Sequence, residues 1–209
     1  MLDGESVSAL LVRDAHRHIV TYGGDRSRRR ACGPYADGVT IHSDHPFVPP
    51  EGERDPLRRL RGRLPQAVTV CTAGEGRSRT GLTVSSLVVA DGDPARVLLL
   101  VDEDSDLAAS LEVEEPFVVN VLGARDRSLA DPFAGTAPAP GGVFRLGAWR
   151  QTPYGPVLET AVAWLGARVA VEPRQVGWPL LVEAVVEHVE IGPEAPALTH
   201  VRGRYVDLG

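Results

Sequence analysis

From Pro56 onward the apolar residues come in short, β-branched runs, each closed by turn residues, and this punctuation restricts the fold more than any other feature of the sequence. The runs are Ala67 to Thr72, Thr80 to Val89, Val97 to Val101, Phe117 to Leu122, Ala161 to Val171, Leu180 to Ile191 and Arg204 to Leu208. Runs of this kind suit a pleated, half-buried surface, and the Gly, Pro and Asp between them supply turns. Helical spacing is confined to three places. Pro56 suits a first helical turn, Leu57, Leu60 and Leu64 follow at helical spacing, and Pro65 stops that helix. Shorter helical patterns cover Leu107 to Leu111 and Ser128 to Phe133. Many short strands with two or three short helices predict a mainly β fold, a closed or partly closed barrel and not a doubly wound parallel sheet.

Texture changes near residue 55. Residues 1–55 hold a mildly amphipathic segment, Val7 to Val20, then Gly23-Gly24, the basic cluster Arg26 to Arg30, and a Pro/Gly/His-rich stretch, His42 to Glu53. They are expected to form an N-terminal extension or arm, with residues 56–209 as the main domain. Within that domain, Phe133 to Pro153 is rich in Ala, Pro and Gly and is expected to be a long irregular connection, either a cover over a site or a disordered loop.

Composition removes several function classes. All 22 basic residues are arginine, as codon bias in a GC-rich genome would give, so lysine-based covalent chemistry is excluded. The net charge of -6 argues against a sequence-independent grip on nucleic acid. Two cysteines, Cys32 and Cys71, provide neither a disulfide framework nor a cysteine-built metal site, and a reduced cytoplasmic setting is the expectation. The N-terminus does not read as a signal peptide, and apolar stretches such as Val97 to Val101 are too short to span a bilayer.

No dinucleotide-binding Gly-x-Gly-x-x-Gly unit, P-loop, His-Glu-x-x-His helix or nucleophile elbow is present. The pairs His16/His18 and His42/His45 lack evident further ligands, so no metal is expected. Two stretches remain. Thr83-Val84-Ser85-Ser86 lies in a strand-like run, with Thr83 and Ser85 on one face and Val84 and Ser86 on the other. Its hydroxyls can bond ring heteroatoms or phosphate oxygens, or can be ordinary strand residues. Asp102-Glu103-Asp104-Ser105-Asp106 precedes the helical pattern at Leu107, where Ser105 or Asp106 is a natural cap and an anion site is the other reading.

Taken in order, these pieces resemble the flavin-reductase-like family of FMN-binding split β-barrels. The thread runs through Gly81-Leu82-Thr83-Val84-Ser85-Ser86-Leu87, Asp93-Pro94, Val97 to Asp102, Ser105-Asp106-Leu107-Ala108 and Phe117-Val118-Val119-Asn120-Val121-Leu122. It continues through Leu129-Ala130, Phe133-Ala134, Pro156 to Glu159 and Ala163-Trp164-Leu165 to Arg202-Gly203-Arg204-Tyr205. The resemblance covers roughly Pro56 to the C-terminus. It implies a six-stranded Greek-key barrel that dimerises, binds FMN or FAD near the dimer interface, reduces it with NADH or NADPH, and often supplies a monooxygenase. By position, Thr83, Val84, Ser85 and Ser86 would contact the isoalloxazine and ribityl chain. Val101 and Asp102 would line the same pocket, Ser105, Asp106 and Leu107 would lie by the phosphate, and Phe133 would cover the cofactor. Asn120 would belong to the supporting strand.

The chain departs from the family at Gly177-Trp178-Pro179-Leu180-Leu181, where an Asp-His pair is usual and no histidine stands. Trp178 is either an aromatic wall against a bound ring or a core residue. Gly92-Asp93-Pro94-Ala95-Arg96, a charged turn in place of an apolar one, is a second departure, and acidic Glu103 and Asp104 near the expected phosphate are a third, for which Arg77 and Arg79 could compensate. The alternative to a reductase is a flavin-binding protein without the nicotinamide site, and a weaker one is a split barrel holding haem or a deazaflavin.

Overall fold

The structure, a computed structural model, describes residues 56–192 and 194–207. The expected helix at Val7 to Val20, the Arg26–Arg30 cluster and the arm as a whole lie outside the described residues, as does Leu208.

Helix α1 spans Pro56–Arg61 and opens at the expected proline. Its apolar stripe does not enter the core: Leu57, Leu60 and the following Leu64 are all exposed. Strands β1 (Gln66–Ala67), β2 (Thr69–Ala73), β3 (Thr80–Val84), β4 (Leu87–Ala90), β5 (Arg96–Val101) and β6 (Pro116–Val121) follow. After helix α2 (Arg127–Phe133) come β7 (Trp149–Thr152), β8 (Gly155–Leu158), β9 (Ala163–Val169) and β10 (Arg174–Gln175). The chain then forms β11 (Leu180–Ile191), β12 (Leu198–Val201) and β13 (Arg204–Asp207). The main sheet is antiparallel, in the order β3-β2-β6-β9-β11-β5-β4, with β10 paired to β11. The mainly β architecture with few short helices is as the sequence predicts.

Strand alternation builds two cores. Odd-numbered Cys71 and Ala73 of β2 join Leu99 and Val101 of β5, Phe117 and Val119 of β6, and Leu107 in one cluster. Even-numbered Val70 faces the other way, into Leu122, Leu129, Phe133, Leu158 and Leu198. Strand β2 is therefore buried along its whole length, on both faces. The second cluster covers the outside of the sheet with α2 and the β12–β13 hairpin. Buried Asn120, expected in a supporting strand, stitches these layers: Nδ2 donates to Val70 O at 3.0 Å and Oδ1 accepts from the Leu158 amide at 2.8 Å.

Three expectations change. The run Thr80 to Val89 is two strands, because the chain leaves β2 after Val84 and pairs with β5 from Leu87. The stretch Phe133 to Pro153 is not wholly irregular; it contains a 3-10 turn, Val143–Arg145, and strand β7, which forms a hairpin with β8. Around Leu107 to Leu111 a single 3-10 turn, Ala108–Ser110, replaces the helix.

Candidate functional site

The break between β3 and β4 places Ser85 and Ser86 outside both ladders. The Leu100 amide donates to Ser86 O at 2.9 Å, which ties the bend to the end of β5. On the other side Thr69 Oγ1 donates to Val84 O at 2.5 Å. Neither the Ser85 nor the Ser86 amide has a protein acceptor among the described residues. Both serines are only half-buried, so these donors remain reachable. Unpaired backbone donors at a reachable bend are positioned for an acceptor-bearing ligand.

The hydroxyls are held but not saturated. Thr83 Oγ1 donates to Ala130 O at 2.7 Å, and Ser85 Oγ donates to Gln66 Oε1 at 3.1 Å. Each oxygen keeps acceptor capacity. Arg61 Nη2 approaches Ser86 Oγ at 3.4 Å, a long contact that brings a guanidinium to the bend; among the described residues the Ser86 hydroxyl hydrogen has no acceptor. Sequence reasoning missed Arg61 and Gln66. Of Arg77 and Arg79, the expected offset to Glu103 and Asp104, Arg79 donates from Nε to Gly76 O, and its Cζ lies 4.8 Å from the Phe144 ring centroid.

Four of the ten residues singled out in sequence have core side chains: Val84, Val101, Leu107 and Phe133. Any contact of Val84, Val101 or Leu107 with a ligand therefore runs through the main chain. Phe133, expected as a cover, packs beneath Phe144 and Trp149, with ring centroids 5.4 Å away in each case. It presses on β3 at Gly81, on the strand that carries Thr83.

The loop after β5 is organised by its own serine. Ser105 Oγ donates to Asp102 O at 2.6 Å and accepts from the Ala108 amide at 3.1 Å, while the Asp104 amide donates to Asp102 Oδ1. These are local bonds that fold the loop on itself, with Ser105 Oγ meeting the amide three residues on. Asp102, Glu103, Asp104 and Asp106 are exposed. A further hydroxyl pair, Thr80 and Ser110 at 3.2 Å, joins the start of β3 to the 3-10 turn; nothing in the sequence spacing signals it.

Trp178 is not core. It is 88% exposed, at the tip of the β10–β11 hairpin. Among the described residues no histidine joins this region: His188 lies against Tyr154 and Trp164, and His200 against Tyr205. Burial pushes the Cys71 thiol up to about 12, so it is an inert core group. Among the described residues no group of three or more His, Cys, Asp or Glu side chains could hold a metal, and no helix is long and apolar enough to cross a membrane.

Comparisons with known proteins agree on one family. Residues 61–209 match the model of the flavin reductase like domain. The chain is 34% identical over 126 residues to an NADPH-flavin oxidoreductase of Streptomyces viridifaciens, covering 54% of this chain and 61% of that protein. It is 26% identical to the 4-hydroxyphenylacetate 3-monooxygenase reductase component of Pseudomonas aeruginosa, covering 72% of this chain and 89% of that one. Among solved structures, the NADH:FAD oxidoreductase SgcE6 of Streptomyces globisporus superposes with a TM-score of 0.66 at 27% identity, over 73% of this chain and 91% of its own. With its mainly β core and this match over most of its length, the chain belongs to the flavin reductase like domain family.

Proposed function

We propose that the chain is a flavin reductase that uses NADH or NADPH to reduce FMN or FAD and passes the reduced flavin to a monooxygenase. The Ser85–Ser86 bend carries this reading. It offers two amides and a hydroxyl hydrogen that have no acceptor among the described residues, beside the Arg61 guanidinium. Isoalloxazine presents acceptor atoms along one edge, so these donors fit it. The flavin site comprises Thr83, Val84, Ser85, Ser86, Val101, Asp102, Ser105, Asp106 and Leu107, with Phe133 behind it. Buried members contribute through the main chain or by holding their neighbours in place.

When bound, flavin supplies the hydride-accepting ring, and no protein acid or base is needed for that transfer. The chain's part is to hold and orient. Thr83 is fixed by Ala130, Ser85 by Gln66 and the bend by Leu100, so the donors are set before a ligand arrives. Arg61 holds a positive charge at the bend, which would stabilise the electron density that a flavin bound there gains on reduction.

Residues 56–209 form this domain and residues 1–55 an extension of it. The working unit is a cytoplasmic homodimer, supported by exposed Val88 and Val89 on the edge strand β4. The test is steady-state oxidation of NADH and of NADPH with FMN or FAD supplied in turn. Turnover that saturates with flavin supports the reading. A protein that binds flavin and oxidises neither nucleotide is a flavin holder and contradicts it.

A further inference from the structure

We propose that the C-terminal β12–β13 hairpin is the frame that positions the flavin-binding bend, with Tyr205 as its positioning residue, an inference that rests on the flavin-reductase reading of that bend. Ser85 and Ser86 lie between β3 and β4, outside both ladders, so beyond the Leu100 amide tie their placement depends on side chains. Thr83 Oγ1 donates to Ala130 O of α2, and Ser85 Oγ donates to Gln66 Oε1 of β1. Arg61 Nη2, at the end of α1, stands 3.4 Å from Ser86 Oγ. These props sit on separate elements, and each of the elements is fastened to the same hairpin.

Strand β1 pairs with β12, with Gln66 opposite His200. The end of α1 is held at the hairpin tip, where the Arg202 amide donates to the carbonyl of Gly62, the residue after Arg61, at 2.6 Å. Helix α2 is held by Tyr205 of β13. Its hydroxyl donates to Asp131 Oδ1 at 2.6 Å, and Arg127 Cζ lies 5.4 Å from the centre of its ring. Arg127 and Asp131 are about one helical turn apart, so the two contacts grip one face of α2 and fix its rotation. Asp131 directly follows Ala130, whose carbonyl holds Thr83.

The hairpin is stiff enough to serve as a frame. Arg202 and Gly203 both take left-handed conformations, φ 51° and 74°, in a two-residue turn that matches the twist of the flanking strands. The His200 ring meets Tyr205 edge-on at 5.4 Å, which joins the β1 and α2 props across the hairpin. Leu198, at its base, is fully buried. A short bond from a hydroxyl to a carboxylate is of the stronger kind. Burial, reinforced by the bond to Asp131 and its charge, pushes the Tyr205 hydroxyl well above its ordinary value, so it stays a donor across the physiological range. Donors held before a ligand arrives lose little freedom on binding. Loosening the frame therefore weakens flavin affinity without removing any flavin contact.

The test cuts the Tyr205–Asp131 bond from either side, in Tyr205→Phe, which keeps the ring contacts, and in Asp131→Ala, with Thr83→Val for comparison. FMN titrations should show affinity about fivefold weaker in Tyr205→Phe and in Asp131→Ala, as for one hydrogen bond, and no further loss when the two are combined. Added to Thr83→Val, Tyr205→Phe should weaken binding by no more than about twofold, because the clasp reaches the bend through Thr83. In steady state the flavin KM should rise by the same factor, with kcat at saturating flavin and the NADH KM unchanged. In the ligand-free protein, hydrogen exchange at the Leu100 amide reports the bend through its bond to Ser86 O. It should quicken about fivefold in Tyr205→Phe while the amides of β6 exchange as in wild type.

Unchanged FMN affinity in Tyr205→Phe, or losses that add across Tyr205→Phe and Thr83→Val, would overturn the proposal. So would a fall in kcat in step with the rise in KM, or Leu100 and β6 amides that quicken together. An intact protein that binds no FMN strikes the flavin reading instead. Leu100 exchange then decides alone whether the hairpin holds the bend, and an unchanged rate refutes it.

Discussion

Gly81 lies directly against the ring of Phe133: a Cβ at position 81 would stand 2.7 Å from Phe133 Cε1 and 3.3 Å from Cys71 O. This contact sets the distance between β3 and α2, and hence the strand that carries Thr83 and the bend beyond it.

Gly81→Ala should therefore overpack the interface. A loss of about 1–3 kcal/mol is expected in denaturant unfolding. Because the ring is the obstacle, Phe133→Leu combined with Gly81→Ala should be less destabilised than the sum of the two single changes. Strict additivity would show that the ring is not what Gly81 accommodates.

Asn120 links the Val70 carbonyl to the Leu158 amide inside the core. Asn120→Leu leaves the Leu158 amide buried without its acceptor and removes the side-chain donor on the Val70 carbonyl, which keeps its ladder pairing with position 120; an unpaired buried group costs about 1–3 kcal/mol. The unfolding midpoint should fall well below that of a surface control such as Glu112→Gln. An unchanged midpoint would mean that water satisfies these groups.

Cys71 should be chemically silent in the native protein. Burial raises its thiol to about 12, with the Thr69 hydrogen bond acting weakly in the opposite direction. In a Cys32→Ser background, iodoacetamide should label Cys71 only on unfolding. The raised pKa also fixes the sign of a stability effect. Its contribution is complete below the ordinary thiol value of 9.0 and declines as pH rises from there towards 12. Cys71→Ala should remove that alkaline decline; fast labelling of the folded protein would contradict the assignment.

The bend itself can be tested through its amides. Ser86→Pro removes one backbone donor and keeps the preceding residue extended. Flavin affinity should fall about threefold to tenfold, as for one hydrogen bond, with little change in unfolding midpoint. Ser86→Ala should have a smaller effect, since it removes only the hydroxyl. If Ser86→Pro binds flavin like wild type, the ligand does not use that amide.

The legible parts were those with local causes. Pro56 marked the start of α1, and the β-branched runs marked β2, β5, β6, β9 and β11, because backbone propensity and turn residues act over a few positions. The split at Ser85–Ser86 was invisible, since serine neither breaks nor extends a strand and the break comes from a change of partner, β2 to β5. The β7–β8 hairpin was hidden in Pro- and Gly-rich sequence and is held by Trp149 packing on Phe133 and Phe144. Within the proposed site, the hydroxyl residues stand out by type, but Leu107 and Phe133 gave no sign in sequence that their side chains would be core. Arg61 could not have been placed, because its role depends on α1 lying beside a bend 25 residues later.

The central claim is that a nicotinamide delivers reducing equivalents to flavin held at this bend. The most direct measurement is the visible flavin absorbance of an anaerobic mixture of the protein and FMN after addition of NADH, with NADPH in parallel. Rapid bleaching that requires the protein, is slowed in Ser86→Pro and reverses on admitting oxygen is the predicted result. A flavin band that persists with both nucleotides would contradict the account.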